Sequence, residues 1–388
     1  MKMAKRRGNL EGSIYERSNG RWLAQVRIQG KRISKNFETQ KECRNWVKQM
    51  QAQIETGLSW ESVKLTLGEY LNRWLKDIEG SVRPKTRFQY IGIVNNHLIP
   101  QLGKIKLGDL QPHQVQQLYN SLREQGHSQR NVQLIHSVLH RALKVASKQG
   151  LIGRNPASAV ALPKISTKEM KVLDDNQARQ MMIAAAGHRY EALLHLAVTT
   201  GMRMGELLGL KWTDLDWASG ILTVHRQVQR LPGKGFVFPE PKTKAGRRMI
   251  ELGPNTIRLL GEHRNQQELE SKRPSWQENG LIFPSNKGTP ADQRNLNRIF
   301  KELLKHAGLP EIRFHDLRHT AATLMLLNGI PLMVVSRRLG HSKPSVTLDI
   351  YGHYLPGMQK EAATLMDELV TPISAKWQQI GSSNPKVR

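Results

Sequence analysis

The chain has 388 residues, with 59 Lys and Arg against 32 Asp and Glu, a formal net charge of +27 and a single cysteine, Cys43. That length calls for two or three domains, and the charge favours a polyanionic partner through phosphate neutralisation and counterion release. One cysteine excludes an intramolecular disulfide and a thiolate zinc cluster and fits a reducing cytoplasm. Met1 to Arg7 is followed by Gly-Asn-Leu-Glu, and no run of about 18 apolar residues occurs, so neither a secretory leader nor a membrane span is expected. Counted in blocks, the net charge is +8 over residues 1–64, +9 over 65–165 and +10 over 166–388. The excess is therefore no basic tail, and it suits a protein that grips DNA along its length.

Residues 12–57 read as a three-stranded sheet followed by a helix. Ser18-Asn19-Gly20 is a hairpin turn signal, because Asn-Gly accepts positive φ. Trp22, Ala24, Val26 and Ile28 then alternate with Leu23, Gln25 and Arg27, and Gln29-Gly30 turns the chain into a third strand with Ile33 and Phe37. Thr39 with Glu42 makes a capping box, and Cys43, Trp46, Val47, Met50 and Ile54 form one apolar helical face. The other face of the sheet is expected to carry Arg21, Arg27, Arg32 and Lys35. A basic sheet backed by one helix can lie in a DNA major groove; the plainer alternative is a small solvated domain.

Residues 58–64 read as a linker and 65–165 as all-helical. Leu67, Leu71, Trp74, Leu75 and Ile78 fall at helical spacing, and Pro84 opens a second helix where its missing N–H costs nothing. Leu118, Leu122, Val132, Ile135, Leu139 and Leu143 continue the pattern. Arg83, Lys85, Arg87, Arg130, Arg141 and Lys144 are interleaved with it, some facing phosphate and the others simply solvated. From Val172 onward helices are interrupted by a β segment: Ile221 to Gln229, Gly235 to Phe238, and the alternating Arg248 to Leu252, which puts Lys242 at or near a hairpin. Met204 to Leu210 reads as a buried helix, and Gln359 to Val370 as an amphipathic one. The expected fold is thus a multidomain α+β chain: residues 1–57 a small sheet plus helix, 65–165 all α, 166–373 mainly α with a small sheet or hairpin, and 374–388 a flexible tail.

Cleaving a phosphodiester needs positive charge on its nonbridging oxygens, a nucleophile in line and a proton for the leaving oxygen. Arg suits the first task, since its planar fork bonds two phosphate oxygens and stays charged. Arg203, after the Gly-containing turn Thr200-Gly201-Met202, and Arg318 are the candidates, and Glu206 can brace Arg203 across one helical turn. His315, Arg318 and His319 share one side of a helix. The i, i+4 His pair invites a zinc reading, but Asp316 stands where a protease would carry Glu and no third ligand stands out, so no metal is assigned. His319 reads as a structural, hydrogen-bonded histidine.

Taken in order, Thr200-Gly201-Met202-Arg203-x-Gly-Glu206-Leu, His315-Asp316-Leu317-Arg318-His319-Thr320, Leu339-Gly340-His341 and Tyr351-x-His353 resemble the tyrosine recombinase family in its phage integrase branch. The resemblance spans nearly the whole chain. It implies an arm-site DNA-binding domain over 1–57, a core-binding domain over 65–165 and a catalytic domain over 166–373. It makes Tyr351 the nucleophile, with Tyr354 the competitor, and Arg203, His315, Arg318 and His341 the residues around the scissile phosphate. Lys242 becomes the proton donor to the departing 5′ oxygen, with Lys244 as the alternative. A free Tyr has a pKa near 10, so the guanidiniums and imidazoles would have to stabilise its phenolate together with the transition state. No cofactor is then needed. The resemblance further implies double-stranded DNA with core-type and arm-type sites, a homotetramer on DNA, a host DNA-bending protein, an excision factor and work at the nucleoid in a bacterial cytoplasm. The rival readings are a type IB topoisomerase-like relaxase and a noncatalytic architectural DNA-binding protein.

Overall fold

The computed structural model describes residues 12–28, 30–55, 64–164, 170–241, 244–352 and 358–371. The chain folds as two units, Met1–Thr167 and Lys168–Arg388.

The first unit begins with an antiparallel meander of β1 (Ser13–Glu16), β2 (Trp22–Ile28) and β3 (Lys31–Phe37), followed by α1 (Gln40–Glu55). Side chains alternate across a strand, so Ala24, Val26 and Ile28 of β2 face one way, where they meet Cys43, Val47 and Met50 of α1 in a small core. Thr39 and Glu42 cap α1 reciprocally, at 3.3 and 3.2 Å. One expectation is corrected here. Residues directly paired across an antiparallel ladder share a face, and Lys35 pairs with Ala24, whereas Arg32 pairs with Arg27. Lys35 therefore stands on the helix side, 5.7 Å above the Phe37 ring and 4.0 Å from the Asp109 carboxylate. Arg21, Arg27 and Arg32 are exposed on the open face.

Four longer helices follow: α2 (Leu67–Asp77), α3 (Pro84–Ile93), α4 (Pro112–Glu124) and α5 (Gln129–Lys148). Thr66 and Glu69 cap α2 in a capping box, which satisfies donors that the first turn otherwise leaves unpaired. Leu67, Leu71 and Trp74 recur on one face of α2 and are buried against Val132, Ile135, Leu139 and their neighbours in one shared core. Pro84 occupies the first turn of α3. Arg130, Arg141 and Lys144 fall at near-integral numbers of turns along α5, forming one exposed stripe.

The second unit contains α6 (Asp175–Ala185), α7 (Glu191–Thr200), the single turn α8 (Met204–Leu207), β4 (Leu215–Asp216), β5 (Ile221–Val224), β6 (Gln229–Leu231), β7 (Gly235–Val237) and β8 (Arg248–Glu251). The helices α9 (Pro254–Ser271), α10 (Gln293–His306), α11 (Asp316–Leu327), α12 (Leu332–Leu339), α13 (Pro344–Tyr351) and α14 (Met358–Val370) complete it. Strands β4, β5 and β8 form one antiparallel sheet and β6 with β7 a hairpin. Apolar on most sides, α7 is buried among α6, α9 and α11. The helix expected from Met204 to Leu210 stops after one turn. The Val228 N–H donates to the Gly205 carbonyl at 2.7 Å, and a Cβ at Gly209 would lie 3.0 Å from the Val228 nitrogen, so the chain leaves the helix where another backbone presses on it. Lys242, Tyr354 and the tail 374–388 lie outside the described residues. Among those described, no helix is long and apolar enough to cross a membrane.

Candidate active site

The site is built on the end of α7. Gly201 caps that helix at φ 64, a left-handed conformation that side chains resist, and a Cβ there would overlap Leu339 of α12. Its carbonyl accepts from Arg318 Nη1 at 2.9 Å. Arg318 is 3 % exposed, yet its Nη2 is buried with no hydrogen-bond partner among the described residues. Burial first, then the charges of Arg203 and Arg248, press the Arg318 pKa down to about 9, with Glu206 opposing. A buried guanidinium with an unused donor and repulsion that Glu206 offsets only in part is a site that an anion stabilises.

Glu206 organises the other two guanidiniums. Its carboxylate accepts from Arg203 Nη1 at 2.8 Å, from the Arg203 N–H at 3.0 Å and from Arg248 Nη2 at 2.9 Å. Burial would raise its pKa, but Arg248 and then Arg203 outweigh that and hold it below the usual carboxylate range. Arg248 also donates Nε to the Arg338 carbonyl at 2.7 Å. Gly340, at φ 74, permits this approach, because a Cβ there would lie 2.9 Å from both the Ala245 oxygen and Arg248 Nη1. Two guanidiniums thus bond one buried carboxylate and a third, Arg318, feels its charge, so the cluster keeps a net positive charge.

Helix α11 brings the imidazoles. His315 stands at its N-cap, with its ring edge-to-face with His319 at 5.3 Å. One side of His315 is open to solvent. Even so, burial of the rest of the ring, then His319, Arg318 and Arg203, push its pKa down to about 4. His341 is likewise pushed down to about 4, by burial, then by Arg318, Arg203 and Arg248. Its Nδ1 pairs with the buried Thr347 hydroxyl at 2.8 Å, which leaves Nε2 as the nitrogen able to address a substrate oxygen. Tyr351, the last residue of α13, is 1 % exposed, and its hydroxyl is hydrogen-bonded to His319 Nδ1 at 2.6 Å.

Arg203, Glu206, His315, Arg318, His341 and Tyr351, scattered over the sequence, thus meet in one electrostatically coupled cluster within the second unit. Lys242 is outside the described residues, and the neighbouring Lys244 begins a short 3-10 turn, Lys244–Gly246, before β8. Two participants escaped the sequence reading. Arg248 shares the inward face of β8 with Ile250, while Met249 between them is 72 % exposed; an Arg at an inward strand position was the available signal. His319 was expected to be structural, and its partner is the Tyr351 hydroxyl. Asp316 is held by Arg313, whose N–H donates at 2.8 Å and whose Nη2 donates at 2.7 Å. Among the described residues no three His, Cys, Asp or Glu side chains are grouped to hold a metal ion.

In the first unit, Arg21, Arg27, Arg32, Arg83, Lys85, Arg130, Arg141 and Lys144 are exposed. Arg87 is half-buried and paired with Glu79 at 3.0 Å. Arg141 donates to the Tyr90 hydroxyl at 3.0 Å and lies over that ring.

Comparison with known proteins gives two family matches, to the phage integrase family over residues 171–357 and to the phage integrase N-terminal SAM-like domain over residues 66–123. A tyrosine recombinase XerC-like protein of Caldanaerobacter subterraneus is 33% identical over 364 residues, 88% of this chain and 93% of the relative. Among solved structures, the Tn1549 transposon integrase in complex with a circular intermediate DNA matches with a TM-score of 0.66 at 20% identity, over 79% of this chain and 100% of that one. A lambda integrase tetramer bound to a Holliday junction matches with a TM-score of 0.55 at 20% identity, over 89% and 96%.

Proposed function

Since the chain belongs to the phage integrase family and is a tyrosine site-specific DNA recombinase, we propose that Tyr351 is its nucleophile and that Arg203, Arg318, His315 and His341 hold the scissile phosphate. The observation that carries this reading is the buried Arg318, with Nη2 unused, in a coupled cluster with Arg203 and the Tyr351 hydroxyl. Attack by Tyr351 would leave a 3′-phosphotyrosyl bond and a free 5′ hydroxyl. That bond retains the energy of the broken phosphodiester, so a 5′ hydroxyl from a second duplex can reseal it without ATP. Preorganised positive charge in a water-poor site stabilises the charge that develops on the phosphoryl oxygens. His315 and His341, neutral at pH 7, would contribute hydrogen bonds rather than charge.

The test is a nicked duplex spanning the attachment site of the element that encodes the chain, incubated in EDTA. A covalent protein–DNA adduct is expected with the wild type and none with Tyr351→Phe. An adduct that survives that substitution but not Tyr354→Phe would move the nucleophile. For the general acid, a duplex with a 5′-bridging sulfur at the scissile position, whose thiolate leaves without a proton, should restore Lys242→Ala; restoration of Lys244→Ala instead would reassign the acid.

In this reading the open face of the β1–β3 sheet takes arm-type sites and the 65–165 helices take core-type sites. Directly paired like charges repel across a ladder, and Arg27 pairs with Arg32, a repulsion that a phosphate relieves. Strand exchange between two duplexes, each cut twice, calls for four subunits. The exposed apolar residues of α14 (Leu365, Met366 and Leu369) supply a face for a neighbouring subunit. A host DNA-bending protein and an excision factor would complete the assembly, in the cytoplasm of a bacterial host. Joining of two duplexes rather than relaxation of one supercoiled circle separates this reading from the topoisomerase-like one.

A further inference from the structure

We propose that His319 is a catalytic residue, the proton acceptor that activates Tyr351. The proposal rests on the reading of Tyr351 as nucleophile and assigns its deprotonation to a side chain that the sequence motifs would leave as scaffold. The Tyr351 hydroxyl lies 2.6 Å from His319 Nδ1, within the reach required of a general base. His319 directly follows Arg318 on α11, so one helical turn presents both a phosphate-binding guanidinium and the base for the attacking oxygen. His315 is the other imidazole at hand, but its ring stands edge-on to His319, and it feels the charges of Arg318, Arg203 and Asp316. Arg318 acts on both imidazoles, and His319 is the one whose Nδ1 is hydrogen-bonded to the nucleophile at 2.6 Å.

The charges around His319 suit that role. Asp316, Arg318 and Arg313 on and beside α11 act on it, His315 lies against its edge, and His341 feels it from beyond α12. Burial lowers its pKa first, Asp316 opposes, and Arg318 and Arg313 lower it further. The ring is therefore neutral at pH 7, and with its proton on Nε2 the Nδ1 lone pair is available to Tyr351. As Tyr351 Oη forms its bond to phosphorus, its proton passes to Nδ1, and the bond from phosphorus to the 5′ oxygen breaks, that oxygen taking a proton from the general acid. In resealing, the 5′ hydroxyl attacks and gives its proton back to the deprotonated general acid, the tyrosyl–phosphorus bond breaks and His319 returns its proton to Oη. The imidazolium between these steps faces Asp316, and the proton it has gained equals the one the general acid has given to the 5′ oxygen, so the site's charge is unchanged.

The experiment measures the rate of adduct formation on the nicked duplex from pH 6 to pH 10 for full-length wild type, His319→Ala and His319→Gln. General-base removal is expected to slow the reaction about 100-fold near pH 7, with the deficit shrinking as the pH nears about 10 and Tyr ionises unaided. Gln can accept the Tyr351 hydrogen bond but not its proton, so His319→Gln should be as slow as His319→Ala. Both should stay slow on the duplex with the 5′-bridging sulfur, which relieves only the general acid. Gel shift with the same duplex verifies that each variant is folded. A Gln variant at wild-type rate, a deficit equal at every pH, or an Ala variant faster than wild type would each overturn the proposal. An adduct persisting in Tyr351→Phe overturns the nucleophile assignment and this proposal with it. An adduct lost in Tyr351→Phe but unchanged in His319→Ala overturns this proposal alone.

Discussion

One buried carboxylate sets the geometry of two guanidiniums. Removing the charge of Glu206 by Glu206→Gln leaves Arg248 buried and uncompensated, a change that costs about 3 kcal/mol; the denaturation midpoint should fall accordingly, and adduct formation should fall further than DNA binding. His315 and His341 make a second prediction. Each has a folded pKa of about 4 against an ordinary 6.5, so between those values the unfolded chain binds protons that the folded chain does not. Stability therefore rises with pH across that window and is lost as the pH falls from 6.5 towards 4. Melting temperatures recorded along the window should show this slope, and the paired substitution His315→Gln with His341→Gln should flatten it. A slope unchanged in the paired variant would place the acid sensitivity elsewhere.

At the scale of elements, two glycines let α7, α11, α12 and β8 converge. Gly201→Ala would strain a left-handed backbone and collide with Leu339, which together cost roughly 2–4 kcal/mol. Gly340→Ala would likewise strain a left-handed backbone and would press on Arg248 and the Ala245 carbonyl, so it should lower both stability and adduct formation; chemical denaturation and the adduct assay run in parallel measure the two losses. Helix α14 follows Tyr351 closely in sequence, with Leu365, Met366 and Leu369 in solvent. Replacing Leu365, Met366 and Leu369 by Ser should abolish tetramers on paired sites, measured by mass photometry, while single subunits still bind DNA. Tetramers that persist would assign α14 to its own subunit.

Over the whole molecule the net charge of +27 is spread along the chain, so binding should weaken steeply with salt. Arg27→Ala with Arg32→Ala removes two exposed charges from the open face of the sheet and, on the proposed arm-site reading, should lower the salt slope for arm-type duplexes by about 2. Adduct formation on a core-type duplex should not change, because the proposed reading gives core sites to the 65–165 helices and cleavage to the Tyr351 cluster, neither of which uses these two side chains. A loss at both kinds of site would mean that the sheet serves core binding as well. The charge blocks, the β1–β3 sheet and the helical run from Leu67 were all legible from composition and periodicity, since each depends on residues near one another in sequence.

The same locality explains how far the sequence alone reached. The turn at Gly201, the i, i+3, i+4 spacing of His315, Arg318 and His319, and the ordered set of motifs determined the chemistry and the family, because turns and helical faces are short-range properties. Tertiary packing decided the rest. Strand register put Lys35 on the helix side of its sheet, the inward face of β8 brought Arg248 to Glu206, and the docking of α13 on α12, which packs on α11, set the Tyr351 hydroxyl on His319. Each of those contacts joins segments far apart in sequence or depends on which strand residues pair. Side-chain type limits what such a contact can do, but only the folded chain determines which side chains meet.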